Sequence, residues 1–316
     1  MTNGISRRRF AAGGAAAALM VRLGMSPAEA ADADVPVVYH APHSTPEAMI
    51  ALFDQLCRDR GITCFDRLCG IKLHGDEVSK NRHMWEALRR HIPASRYVEC
   101  NYASEYASSR RGHTAGNRQA IINQGVPSEA IDILDRDKRY RDVPVAGAQE
   151  LKSISTPAAL LDEYGLVVVA ANFKIPSFAG FSGAVKNVGV GLAGAYGKSA
   201  VHGPGFGRDA GFYARLADAA KGIHEAMSGR LLYLNVMTDM NPQPLEGASV
   251  RRGDLGILAS TDMTAVDQAA VTMAYGLEAD ACDAMPEDVR LDRGFIVFEN
   301  LERIGCGNRR YRLVTV

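Results

Sequence analysis

Gly165-Leu166-Val167-Val168-Val169-Ala170-Ala171 is an unbroken apolar run. Neighbouring side chains of a strand point to opposite faces, so a strand without polar alternation belongs where both faces are covered. A parallel sheet with helices on either side is that environment, and the run therefore predicts an α/β fold. Towards the N-terminus, strands are expected at 35–39, 70–74 and 96–100. Helices are expected at 45–60, where Met49, Leu52, Phe53 and Leu56 recur at helical spacing, at 82–91, and at 114–124 with Thr114 as cap and Gly125 as stop. Towards the C-terminus, 209–229 reads as a helix with Phe212, Leu216, Ala219, Ala220, Ile223 and Met227 on one face. Strands are expected at 231–236, 256–259, 295–298 and 311–316, and a helix at 262–277. Residues 136–157, charged and proline-containing, read as a loop over the site or a domain junction. The expected architecture is a mostly parallel sheet flanked by helices, in one compact unit or two lobes with a cleft.

The chain has 316 residues, 47% hydrophobic and 23% charged, with a formal net charge of +0. That is a globular balance with no global field for nucleic acid, and no basic run outside the first residues argues for it. Ser6-Arg7-Arg8-Arg9-Phe10 is followed by an apolar stretch from Ala11 to Leu23 and by Ala28-Glu29-Ala30. A charged start, a weakly hydrophobic core and a small-x-small end make a signal peptide over residues 1–30, and the paired arginines point to export by the twin-arginine translocase. Residues 31–316 would then form the mature α/β domain in the periplasm. Without residues 1–30, which hold four of the 36 basic and one of the 36 acidic residues, 32 basic and 35 acidic remain, a net of −3. No apolar run beyond the signal is long enough to span a membrane.

Cys57, Cys64, Cys69, Cys100, Cys282 and Cys306 form no CxxC. In an oxidising compartment they read as buried thiols with one or two disulfides.

The segment after the apolar run carries the chemistry. Residues 170–203 hold Lys174, Lys186, Lys198, His202 and glycines at 180, 183, 189, 191, 194 and 197. Ligands of open parallel sheets sit beyond the carboxyl ends of strands. A loop rich in glycine, for positive φ and close backbone approach, and in lysine suits an anion. The plainer reading is a surface loop with solvated lysines. Gly189-x-Gly191-x-x-Gly194 has the spacing of a dinucleotide fingerprint but does not directly follow a strand. His74, with Asp76 and Glu77 close behind, is placed to act as acid, base or ligand. His40-x-x-His43 is a candidate metal pair, Arg111 a candidate bidentate anion binder, and Asp262 and Asp267 candidate caps at a helix start.

These stretches together resemble the domain-of-unknown-function family 362, whose members often carry iron–sulfur modules. The resemblance rests on Gly70-Ile71-Lys72-Leu73-His74-Gly75-Asp76-Glu77, on Asn101, Tyr106, Arg111 and Thr114, on the 178–186 segment, on Leu258-Ala259-Ser260-Thr261-Asp262 through Asp267-Gln268-Ala269, and on Ile304-Gly305-Cys306-Gly307 with Tyr311. It covers nearly all of the mature chain. Pro176 stands where the family usually has a histidine. Asn241-Pro242 is followed by Gln243-Pro244-Leu245 where many members have Cys-Asp-Cys. Both departures remove metal donors and speak against an iron–sulfur cluster. More distantly, Phe178-Ala179-Gly180-Phe181-Ser182-Gly183-x-x-Lys186 with His202 is similar to the motif of nickel-pincer lactate racemases, in which the lysine carries the cofactor.

The expected function is an enzyme acting on a small anionic molecule, with a metal or covalently held cofactor as an open alternative. His202, Lys186 and His74 are the expected catalytic residues. Lys174, Arg111, Asn101, Lys198 and Ser182 are the expected anion-binding residues, and His40, His74 and His202 the candidate metal ligands. The alternative is a non-catalytic periplasmic binding protein that has lost the family's metal ligands.

Overall fold

In the computed structural model, which describes residues 35–316, the elements follow in the order β1 (Val37–Ala41), α1 (Pro46–Asp59), β2 (Leu68–Lys72), α2 (Arg82–His91), β3 (Ser95–Glu99), α3 (Thr114–Ile122), β4 (Ile131–Ile133), β5 (Tyr140–Pro144), β6 (Ser153–Pro157), α4 (Ala158–Glu163) and β7 (Tyr164–Asn172). Then come β8 (Lys174–Ser177), β9 (Gly180–Ser182), α5 (Ala184–Lys186), a π-helical turn (Asn187–Leu192), α6 (Ala195–His202), α7 (Ala210–Ala226), β10 (Leu231–Val236), β11 (Ile257–Ser260), α8 (Met263–Tyr275), α9 (Ala279–Asp283), α10 (Glu287–Arg293), α11 (Ile296–Arg303) and β12 (Arg312–Thr315). The signal sequence expected over residues 1–30 lies outside the described residues. No helix among the described residues is long and apolar enough to cross a membrane.

Eight strands form one sheet in the order β12-β1-β11-β10-β7-β2-β3-β4. β11 runs antiparallel to both its neighbours, and the other pairings are parallel. The apolar run is strand β7, with Val168 paired to Leu232 on one side and Ile71 on the other. Its alternate residues divide between two cores. Val167 and Val169 pack with the helices of the C-terminal half, around Phe212, Leu216, Val266 and Phe298. Leu166, Val168 and Ala170 pack with α1 and α2, around Met49, Leu52, Trp85 and Leu88. Both faces are covered, which is why the run needs no polar residue. Each fully buried aliphatic chain contributes about 1.5–3 kcal/mol relative to exposure.

The first and last strands share this sheet, so the halves do not form two lobes. Other expectations also change. Residues 136–157 are neither lid nor junction: β5 and β6 pair as an antiparallel hairpin whose Val143 and Ile154 join the core. Residues 295–298 are not a strand. They begin α11, because Val297, Phe298 and Leu301 recur at helical spacing and are buried together. Thr114 opens α3 but does not cap it; the ring of His113 accepts from the Gly116 N–H at 3.1 Å. The six cysteines are unpaired and all but Cys64 are buried.

Candidate functional site

β2 and β3 are adjacent and parallel, so Lys72 and Glu99, their last residues, emerge side by side at the carboxyl edge. Lys72 Nζ lies 3.2 Å from Glu99 Oε1 and donates to the Leu73 carbonyl at 2.6 Å. Both residues are buried. Glu99 also accepts from the Gly75 N–H at 2.8 Å and the Cys100 N–H at 2.9 Å. Burial alone would raise its pKa, but the charges of Lys72 and Lys198, then of His74 and Arg111, outweigh burial and hold the carboxyl at about 2. Glu99 is thus the fixed anion of the site.

The segment expected as a glycine-rich loop is mostly helical. Of its seven glycines only Gly180 and Gly203 have positive φ. The others serve close approach: a Cβ on Gly183 would strike the Asp267 carboxylate, and one on Gly191 would lie 2.7 Å from Lys72 Cε. Asp267 is fully buried. It accepts from the Ala184 N–H at 2.7 Å, the Val185 N–H at 2.9 Å and Asn235 Nδ2 at 2.7 Å. It therefore caps not its own helix but α5, the turn that carries Lys186. Burial pushes its pKa up to about 6 against these hydrogen bonds. Asp135 plays the same part for α6, accepting from the Ala195 N–H at 3.1 Å. Lys198 and His202 lie four residues apart on α6 and so share a face.

These elements enclose a cavity of about 430 Å³ lined by Lys72, His74, Glu99, Ser182, Lys186, Asn187, Lys198 and His202, with Phe178, Tyr102, Tyr106 and Phe206 as its aromatic part. Five of the sequence-predicted residues thus meet: His202, Lys186, His74, Lys198 and Ser182. Lys186 Nζ stands 6.0 Å from the Phe178 ring centre. Burial first, then the charge of Lys174, lowers its pKa to about 8. Burial, with Lys186 and Lys198, lowers His202 to about 4, so the imidazole is neutral at pH 7. It stacks on Phe206 at 4.7 Å and Phe212 at 5.6 Å, and its Nδ1 is buried without a partner. Phe206 adopts φ 53°, a strained conformation for a bulky residue, on the wall that His202 needs. His74 is also lowered to about 4, chiefly by burial. Its Nδ1 accepts from the Asp76 N–H at 3.3 Å, which leaves Nε2 as the protonated nitrogen of the neutral ring.

The other predicted residues stand apart from the cavity wall. Lys174 is ion-paired with Glu77. Arg111 is buried, bonded to Asp76 and to Asn117 Oδ1, with one amino group unpartnered 3.7 Å from Glu99. It stands behind Glu99 and is not among the residues that line the cavity. Asn101 donates to Thr114 Oγ1 at 3.2 Å. His40 bonds the Leu255 carbonyl at 3.0 Å on β1, four strands from β2. The site therefore does not unite His40 with His74 and His202. Lys72 and Glu99 were missed as site residues; Lys72 closes an otherwise apolar strand, but Glu99 ends a strand that also holds Ser95 and Arg96, and nothing local pairs the two.

Among the described residues no three His, Cys, Asp or Glu side chains converge as a metal requires. The thiols are dispersed, and burial raises Cys57 and Cys282 to about 11 and Cys69 and Cys306 to about 12. A cluster held by thiolates does not fit these residues. A group carried on Lys186 would find a free amine for its attachment and the imidazole of His202. At the remaining expected position it would find Pro176, exposed on β8, which offers no donor.

A family model described as a domain of unknown function (DUF362) matches residues 82–272. The match spans more than half of the chain and includes Glu99, Lys186, Lys198 and His202, while Lys72 and His74 lie just before it. No curated protein matches the chain.

Proposed function

The chain belongs to the DUF362 family, and from that premise we propose that it is an enzyme acting on a small organic anion. One observation carries this reading. Every charged group around the cavity has an internal partner except the Lys186 amine, which has none among the described residues and shares the cavity with His202. The Lys186 side chain is half-buried, and a ligand seated on its amine would supply the bonds that the protein itself does not. Lys186 and the spare N–H groups of Lys198 and Lys72 would hold the anion. Neutral His202 and His74 would move protons near pH 7, and the aromatic residues would cover the ligand's apolar part.

Thermal-shift and calorimetric titration with a panel of small carboxylates and phosphate tests the site. At least one anion should stabilise the wild type, and Lys186→Met should weaken it about tenfold or more. No shift with any anion sinks the reading. The alternative, a binding protein, is favoured by Pro176 in place of a ligating histidine. Turnover by the wild type that is lost in His202→Ala with affinity kept identifies the enzyme; binding without turnover identifies the binder. We propose further that residues 1–30 direct twin-arginine export. Arg7→Lys with Arg8→Lys should then leave the uncleaved chain in the cytoplasm on cell fractionation, and unchanged periplasmic yield would refute it.

A further inference from the structure

We propose that Lys186 is an imine-forming lysine and that the anions it acts on are oxo acids, small carboxylates bearing a ketone or aldehyde. This rests on the anion-site reading above and gives it a substrate class. The four lysines of the region are not equivalent. Lys72 is held by Glu99 and the Leu73 carbonyl, Lys198 donates to the Ala193 carbonyl at 3.0 Å, and Lys174 is paired with Glu77. Lys186 alone has no hydrogen-bond or ion-pair partner among the described residues, and it faces the cavity beside Phe178. A lysine desolvated against an aromatic wall and next to another cation is the environment that frees an amine for attack on a carbonyl. The remaining groups match the rest of such a substrate. Lys198 keeps unused N–H donors for a carboxylate, and the Ser182 hydroxyl, also on the cavity wall, has no partner among the described residues.

The step balances without an oxidant or reductant. The Lys186 nitrogen adds to the carbonyl carbon, and the C=O electron pair moves to oxygen, which takes up protons and leaves as water. The nitrogen gives up its protons and ends double-bonded to carbon. Amine and carbonyl give imine and water. His202, neutral near pH 7 and in the same cavity, takes and returns the protons.

Reductive trapping tests this. The exported, full mature protein is incubated with glyoxylate, the smallest oxo acid, and sodium cyanoborohydride at pH 7.5, and modified lysines are quantified by peptide mass spectrometry. Lys186 should be carboxymethylated about tenfold or more faster than exposed Lys152, since its lowered pKa enriches the free amine. The rate should rise with pH to a half-maximum near 8, and pyruvate should trap on the same residue. Lys186→Met should show only the background rate of the surface lysines. Trapping at Lys186 no faster than at Lys152, while glyoxylate or pyruvate still shifts the melting temperature, overturns the imine and leaves the anion site standing. Slow trapping with no shift by any anion overturns both. A Lys186 that already carries a covalent group in the purified protein also overturns it.

Discussion

Two polar pockets open at opposite edges of the same sheet. The site cavity lies beyond the carboxyl ends of β2, β3 and β7. The other, about 310 Å³, lies at the far edge and is lined by Arg60, His224, Asp262, Cys306 and Asn308. Each has histidine, a carboxylate and at least one basic residue, so these residue types alone do not tell them apart. Hydrogen bonding does. Asp262 Oδ1 accepts from the N–H groups of Thr264 and Ala265, and Oδ2 from that of Asn308. His224 Nδ1 meets the Tyr233 hydroxyl at 2.6 Å, and Arg60 donates to the Thr261 carbonyl. Those groups answer one another and tie β11, α7 and α8 to the C-terminal segment. In the site cavity Lys186 and His202 Nδ1 are left over. A polar pocket whose groups are all satisfied is architecture, and one with spare donors and acceptors is a place for something else.

The largest effect expected from this contrast is at Asp262. Asp262→Ala should cost about 3 kcal/mol in denaturant unfolding, because three backbone N–H groups lose their acceptor at once. Anion binding by the folded fraction and trapping at Lys186 should persist. A cost under about 1 kcal/mol, or lost binding in protein that is still folded, would erase the distinction between the pockets.

Asp267 breaks the contrast from the other side, since it is satisfied yet serves the site. Asp267→Asn should cost about 2 kcal/mol, because all three of its partners are donors and the new amide turns a fourth donor against them. It should also let α5 shift and Lys186 reach water, so the Lys186 labelling profile moves from a half-maximum near pH 8 towards the ordinary lysine range. Asp218→Asn is the control. It is a buried carboxylate that accepts from the N–H groups of Gln149, Glu150 and Leu151, and it should destabilise without moving the profile. Equal profiles in the two variants would make Asp267 merely structural.

The sheet was legible because burial on both faces leaves nearly continuous apolar runs at 165–171 and 231–236, and because helices such as 82–91 carry one period throughout. The short elements were not. Residues 295–298 have too few side chains to separate period 2 from period 3.6, and α11 is decided by Leu301 packing beside them. The site was legible as a segment but not as a shape. Glycine and lysine between 180 and 202 announced close approach and charge. That Gly183 makes room for Asp267, 84 positions away, is a tertiary fact with no local trace. Lys72 and Glu99 escaped for the same reason, since only strand order brings them together.

Lys186 itself gives a smaller, pH-dependent effect. Its folded pKa near 8 lies below the ordinary 10.5. Below pH 8 the amine is protonated in both states, and the folded protein bears the cost of a half-buried charge. Between pH 8 and 10.5 only the unfolded chain keeps the proton, so stability rises with pH. Lys186→Met removes that slope. At pH 7 it should be more stable than the wild type by about 1.5 kcal/mol, half the full linkage value because the side chain is partly exposed, and the advantage should vanish by pH 10.5. Parallel stability curves for the two proteins from pH 7 to 10.5 would show Lys186 to be ordinarily solvated.

The smallest effect has the sharpest sign, and it compares one histidine from each pocket. His202 lies between Phe206 and Phe212 with Nδ1 buried and unpartnered, so a phenylalanine keeps the stacking and removes the orphaned atom. His202→Phe should stabilise by up to about 1 kcal/mol while abolishing any turnover. His224→Phe leaves the buried Tyr233 hydroxyl without its partner and should destabilise by about 1 kcal/mol or more. The acid limb separates them further. His202 falls from 6.5 to about 4 in the folded state, so stability is lost as pH drops through that window and the unfolded chain takes up the proton. His202→Phe should flatten this limb in proportion. Opposite signs at the two histidines follow only if one pocket is complete in itself and the other awaits a ligand, and like signs would remove the ground for telling them apart.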